Sequence, residues 1–176
     1  MANIPQSEAQ IEALLEELVA SLGQSFDTWD KVAFVGVRSG GELLARQLVK
    51  RLGKRSGANI PLGLLDISFY RDDLSKRLFS PEVKNTEIDF AIDDQTIILV
   101  DDVLNTGRTV RAAIDHLMDL GRPKRIMLLV LFDRGGRELP FQADFVGARI
   151  DLPDDKRVKL KPVNETFEVV IKEARP

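Results

Sequence analysis

A chain of 176 residues, 44% apolar and 30% charged, has room for one domain with a substantial core, and its net charge of −3 gives no global attraction to nucleic acid or anionic lipid. With no cysteine, disulfides, thiol catalysis and thiolate metal sites are excluded. Met1 to Gln10 lacks a secretory pattern, and the longest apolar run, Ile126 to Phe132, is far short of the roughly 20 residues of a membrane span, so a cytoplasmic location is expected.

The first predicted element is a helix. Ser7 suits the N-cap, and Ile11, Leu14, Leu15, Leu18, Val19 and Leu22 recur at helical spacing until Gly23, where the helix should stop. Its other face carries Glu8, Glu12, Glu16 and Glu17. Val32 to Val37 reads as a buried strand that runs into the loop Arg38-Ser39-Gly40-Gly41. A helix from about Glu42 to Leu52 follows, and its end carries Lys50, Arg51, Lys54 and Arg55, read as solvated.

Leu62 to Phe69 reads as the second strand. From Tyr70 to Asp94 no periodicity is evident, and a connection that long inside a compact domain is often functional, for instance as a lid. Thr96 to Val100 is the next strand. A helix from Thr109 to Leu120 then turns Val110, Ala113, Ile114 and Leu117 inward and His116 outward, with Gly121 and Pro123 ending it. Arg125 to Phe132 is another buried strand. Beyond Asp133, Val158–Val163 and Phe167–Ile171 read as small antiparallel strands added to the main sheet.

This alternation predicts an α/β fold, an open and mostly parallel sheet with helices on both faces, in a single domain spanning 1–176 with its core at about 30–133. Ligands of such sheets bind beyond the carboxyl ends of the strands. Arg38–Gly41 and Asp101–Thr109 should therefore share one edge.

The stretch from Ile97 to Thr109 is the most informative. Apolar β-formers run into Asp101-Asp102, then through Val103, Leu104 and Asn105 into Thr106-Gly107-Arg108-Thr109, which opens a helix. That last loop offers a phosphate backbone N–H groups, hydroxyls, a glycine for close approach and the positive end of a helix. Two acids cannot hold the phosphate itself. They suit what is attached to it, either sugar hydroxyls or a metal ion, and a phosphorylated sugar is the expected ligand. The G-x-x-x-x-G-K-[ST] loop of a P-loop ATPase and the G-x-G-x-x-G of a dinucleotide fold are both absent.

The stretch resembles the 5-phosphoribosyl-1-pyrophosphate (PRPP) motif of type I phosphoribosyltransferases. Leu65 to Leu74, Gly121-Arg122-Pro123 and Asp133 to Pro140 narrow the resemblance to the PyrR family, pyrimidine-operon attenuation regulators that are also uracil phosphoribosyltransferases. The likeness covers most of residues 7–150. It implies that Asp101 and Asp102 bind the ribose hydroxyls and act in catalysis, and that Thr106, Gly107, Arg108 and Thr109 hold the 5-phosphate. The whole run Asp101, Asp102, Val103, Leu104, Asn105 to Thr109 is then substrate-binding, and Arg38, Ser39 and Gly40 form the pyrophosphate loop. Residues 70–94 would be a flap and residues 134–176 a hood over the base, with Arg137 a further catalytic candidate at pyrophosphate or base. Mg2+ would reach the protein through PRPP oxygens, with no direct metal ligand.

Three departures stand out. Asn105 replaces the family's usual tyrosine, Gly136 replaces a histidine, and the first helix has no basic residue between Ser7 and Phe26, where such regulators carry basic RNA-contacting side chains. A negative surface weakens phosphate-backbone binding. Arg149, Lys156, Arg157, Lys159 and Lys161 remain as basic candidates. The resulting expectation is a uracil phosphoribosyltransferase producing UMP, with an RNA-binding attenuator that senses uridine nucleotides, or a transferase for another base, as alternatives. The family further implies a homodimer or higher homo-oligomer.

Overall fold

A computed structural model describes residues 4–68, 70, 85–164 and 166–173. Five parallel strands form the main sheet in the order β2-β1-β3-β4-β5: β1 (Val32–Val37), β2 (Leu62–Leu65), β3 (Thr96–Leu104), β4 (Arg125–Asp133) and β5 (Phe145–Arg149). Their apolar runs alternate between two cores, as side chains of period two on a doubly covered sheet must. Phe34, Ile98, Val100, Leu129 and Leu131 face one core. Ala33, Val35, Ile97, Leu99, Leu128 and Val130 face the other.

Helices α1 (Glu8–Ser25) and α2 (Gly40–Ser56) cover the first face through Leu15, Leu18, Leu22, Leu44, Leu48 and Leu52. Helix α3 (Arg108–Leu120) covers the second through Val110, Ala113 and Leu117. The expected α/β sheet with helices on both faces is what the chain forms.

Element ends differ from expectation for local reasons. Ser7 does cap α1, in a capping box with Gln10. The helix nevertheless runs past Gly23, since a single glycine costs a helix only about 1 kcal/mol. Helix α2 starts at Gly40 rather than Glu42 and continues beyond Leu52 to Ser56, where Gly57, with a left-handed φ of 72°, caps it through its N–H to Gly53 O at 2.9 Å. Strand β2 ends at Leu65, because Asp66 Oδ1 accepts from Ser68 N and Oγ and turns the chain. The predicted strand end at Phe69 and most of the 70–94 flap lie outside the described residues.

Two corrections concern the C-terminal part. Strand β5 has no counterpart among the predicted elements: it is short and contains Gly147, where a Cβ would come within 2.7 Å of Leu131 O. The last strands, β6 (Lys156–Val163) and β7 (Thr166–Glu173), pair with each other and not with the main sheet. Their inward residues Val158, Leu160, Phe167 and Val169 join the core under α1 and α2, so the pair seals that face instead of lengthening the sheet.

Candidate active site

From β1 the chain passes outward to β2, and from β3 it passes the opposite way to β4. The loops leaving β1 and β3 therefore diverge, and the crevice between them is where open α/β sheets place ligands. Both loops singled out in the sequence lie here.

On the β1 side, Arg38 N–H donates to Leu65 O at 3.0 Å and the Arg38–Ser39 peptide is cis. Gly40 and Gly41 bring the start of α2 against β3. A Cβ on Gly41 would lie 2.2 Å from Val100 O, and one on Gly40 would lie 2.2 Å from Asp102 Oδ2. No side chain caps α2 at Ser39. The Arg38 guanidinium is mostly buried and bonds Glu87 at 2.8 Å, while its Nε is buried without a partner.

On the β3 side, the strand continues through the acids to Leu104, in register with β4 at Asp101↔Val130, Val103↔Phe132 and Leu104↔Asp133. The acids are thus part of the ladder, and the strand does not stop at Val100 as its apolar run predicts. Asp101 is only 6% exposed, and its Oδ1 accepts from Asp102 N–H at 2.9 Å. The Asp102 carboxyl lies between Gly40 and the backbone of Leu160 in β6. Burial pushes its pKa above the ordinary carboxylate value. Hydrogen bonding with Asp101 and with the backbone N–H groups of Leu160, Asp102 and Val103 opposes that rise in part.

Beyond Leu104 the loop turns at Gly107, whose φ of 90° favours glycine, and α3 begins at the next residue. Unlike α1, α3 has neither a side-chain cap nor an acid in its first turn, which leaves a helix N-terminus suited to an anion. The loop is held from behind. Thr106 O accepts from Glu138 N and Leu139 N at 3.0 Å each, and Arg108 pairs with Glu138 at 2.6 Å.

Arg137, the further catalytic candidate, lines the cavity after β4 and also bonds the protein itself. Its guanidinium donates to Asn105 O at 2.8 Å, Gly135 O at 3.1 Å, Phe141 O at 2.9 Å and Asp133 Oδ1 at 2.7 Å. These bonds brace the loop after β3 against the segment after β4. Next to it, Asn105 and Gly136, the two loop departures, face each other: a Cβ on Gly136 would meet Asn105 Oδ1 at 2.8 Å. A cavity of about 460 Å3 opens beside this knot, lined by residues that include Asp133, Gln142, Arg149 and Ile150.

His116 also departs from expectation. It is half-buried, stacks on Tyr70 with ring centroids 4.3 Å apart, and its Nδ1 lies 2.9 Å from Asp66 O. Tyr70 OH donates to Asp119 at 2.7 Å, and that carboxylate pushes the phenol's pKa up. Sequence reasoning missed Glu87 and Leu160 as neighbours of the site. Glu87 lies in an aperiodic segment, and Leu160 acts through its backbone, so neither carried a signal.

Among the described residues no cluster of three or more His, Cys, Asp or Glu is placed to hold a metal, and no helix is long and apolar enough to cross a membrane. Two adjacent carboxylates supply too few ligands to hold Mg2+ by themselves, so such an ion would be held mainly through oxygens of a bound ligand and water.

A family model described as the phosphoribosyl transferase domain matches residues 1–164. The Bifunctional protein PyrR of Limosilactobacillus fermentum is 52% identical over 131 residues, covering 73% of each chain. That of Thermus aquaticus is 43% identical over 162 residues, covering 92% of this chain and 87% of its own. The chain belongs to the PyrR family. It is accordingly a phosphoribosyltransferase.

Solved structures agree on the fold. A hypoxanthine-guanine phosphoribosyltransferase from Bacillus anthracis superposes with a TM-score of 0.67 at 21% identity, covering 84% of this chain and 83% of its own. A hypoxanthine phosphoribosyltransferase from Trypanosoma cruzi, in complex with the product IMP, gives 0.64 at 19%, with 85% and 77% covered.

Proposed function

We propose that this PyrR-family protein joins uracil to PRPP, releasing UMP and pyrophosphate in the cytoplasm. The observation that carries this reading is the placement of Asp101-Asp102 between two glycine-lined, side-chain-uncapped helix starts, at Gly40 and Gly107. A ligand with anions at both ends and hydroxyls between them fits that sequence of groups. In this assignment Thr106 to Thr109 hold the 5-phosphate, Asp102 and Asp101 act at the ribose, and Arg38 with Ser39 and Gly40 receives the pyrophosphate. Arg137 fixes the Asn105 carbonyl and so the position of the phosphate loop. The space beside Asp133, Gln142 and Ile150 would take the base.

As the bond from ribose C1 to pyrophosphate breaks, positive charge gathers on the sugar ring, and fixed carboxylates stabilise it without reorganising. Arg38 meets the negative charge that leaves with the pyrophosphate. A Mg2+ ion, when bound, would supply charge neutralisation to that leaving group, and this chain's own contribution there is the Arg38 guanidinium. The test is pyrophosphate release with Mg2+ across uracil, orotate, adenine, guanine and hypoxanthine. Uracil should give the highest kcat/KM, and turnover with another base in its place would reassign the substrate.

A second reading, RNA attenuation, is favoured by one observation. Strand β6 turns Arg157 and Lys159 to solvent beside Lys172 of β7, and Lys161 further along pairs with Glu168 at 3.1 Å. On α1, by contrast, Glu12 and Glu16 pair with Arg51 at 2.6 and 2.7 Å, and this pairing holds the Glu12 pKa down. If the basic stripe binds a leader RNA, Arg157→Glu with Lys159→Glu should weaken a gel shift of that RNA. The slope of its salt dependence should also flatten, by about 1 for each phosphate that is no longer neutralised. An unchanged salt slope would remove the stripe from consideration.

A further inference from the structure

Glu87 has no place in the chemistry above, yet its backbone fixes it at the mouth of the site. Its N–H donates to Leu64 O at 2.8 Å and its C=O accepts from Leu64 N at 2.7 Å, an isolated antiparallel bridge onto β2. The bridge sets the side chain at Arg38, where the carboxylate takes the guanidinium at 2.8 Å. Arg38 is itself tied through its N–H to Leu65, the next residue along β2. Both partners of the ion pair are therefore positioned by one short strand.

The two partners differ in exposure. The Arg38 side chain is 13% exposed and that of Glu87 is 59% exposed, so the pair is a buried cation met by a largely solvated anion. The Arg38 Nε stays buried and unpartnered even with Glu87 in place. A guanidinium offers donors in a fork that suits two oxygens at once, and here only part of the fork is used. The carboxylate satisfies Arg38 incompletely, and a more highly charged anion with several oxygens would satisfy it better.

We propose that Glu87 is a specificity-determining residue, a resident carboxylate that a pyrophosphate group displaces from Arg38 and that a monophosphate does not reach. This rests on the assignment of Arg38 to the pyrophosphate side of the site. A ligand carrying only the 5-phosphate, such as UMP, binds with the Arg38–Glu87 pair intact. A ligand carrying pyrophosphate must break that pair, and so binds more weakly than it would to an unoccupied arginine. The device narrows the affinity gap between substrate and nucleotide product and keeps Arg38 oriented between turnovers.

The experiment is calorimetric titration of wild type and Glu87→Gln with magnesium pyrophosphate and, separately, with UMP. The side chain is exposed and the bridge is made by the backbone, so the variant should fold, which a melting curve checks. Glu87→Gln should bind pyrophosphate about fivefold more tightly, in keeping with the modest strength of a partly exposed ion pair, while UMP affinity moves less than twofold. Glu87→Asp, one methylene shorter, should fall between the two. Unchanged or weaker pyrophosphate binding in Glu87→Gln overturns the proposal, as does a parallel change for both ligands, which would mark a merely structural role. If wild type binds no pyrophosphate at all, the assignment of Arg38 fails and the role of Glu87 fails with it. If wild type binds both ligands and the variant matches it, only the role of Glu87 is lost.

Discussion

Asp102→Asn should yield a protein that is more stable and nearly inactive. The carboxyl lies against Gly40 and Leu160 of β6, and burial raises its pKa. A raised pKa means that the folded chain holds the proton more tightly than the unfolded chain. This group's contribution to stability is then greatest at low pH and declines as pH rises through the folded-state value. At neutral pH wild type bears the cost of an ionised carboxylate in a desolvated place, and asparagine does not. Its amide oxygen can still accept from the surrounding N–H groups. We expect a gain of about 1 kcal/mol, seen as a melting temperature about 2–4 °C higher at pH 7 and a flatter dependence on pH. On the proposed chemistry kcat should fall about 100-fold or more, because a neutral amide does not stabilise a cationic sugar. A variant with wild-type turnover would remove Asp102 from the reaction.

The second large effect is expected at Gly41. A Cβ there would lie 2.2 Å from Val100 O and 3.0 Å from Asp101 Cα, and both are main-chain atoms of a central strand. Neither can yield as the end of a side chain could. Helix α2 must back away from β3, which opens the crevice and uncovers part of the core. Gly41→Ala should cost about 3 kcal/mol and abolish PRPP binding. Gly23→Ala is the natural control: nothing lies within 4 Å of the added carbon and the position is inside α1, so stability should rise by about 1 kcal/mol. Chemical denaturation of the two variants should move in opposite directions.

These two sites show what could be read before the fold was known. The strand–acid–glycine run from Ile97 to Thr109 announced its own location, because burial on both faces and a helix start each leave a local pattern. The parallel core was legible for the same reason. What stayed hidden depends on contacts distant in sequence. Nothing local in Arg137 says that its fork closes on Asn105 O, or that the outward-looking His116 stacks on Tyr70. The alternation in Val158–Val163 and Phe167–Ile171 gave two strands correctly but not their partner, since pairing with each other and pairing with the main sheet require the same pattern.

The ladder that locks Asp101, Val103 and Leu104 to β4 carries a dynamic consequence. Main chain held in register cannot slide after a moving ligand. On the proposed assignment, with the hydroxyls of a ribose on that wall and its phosphate on the start of α3, both ends of the sugar would stand still during the reaction. Only the anomeric carbon would then be left free to travel, swinging from departing oxygen toward incoming nitrogen like a latch between two bolted posts.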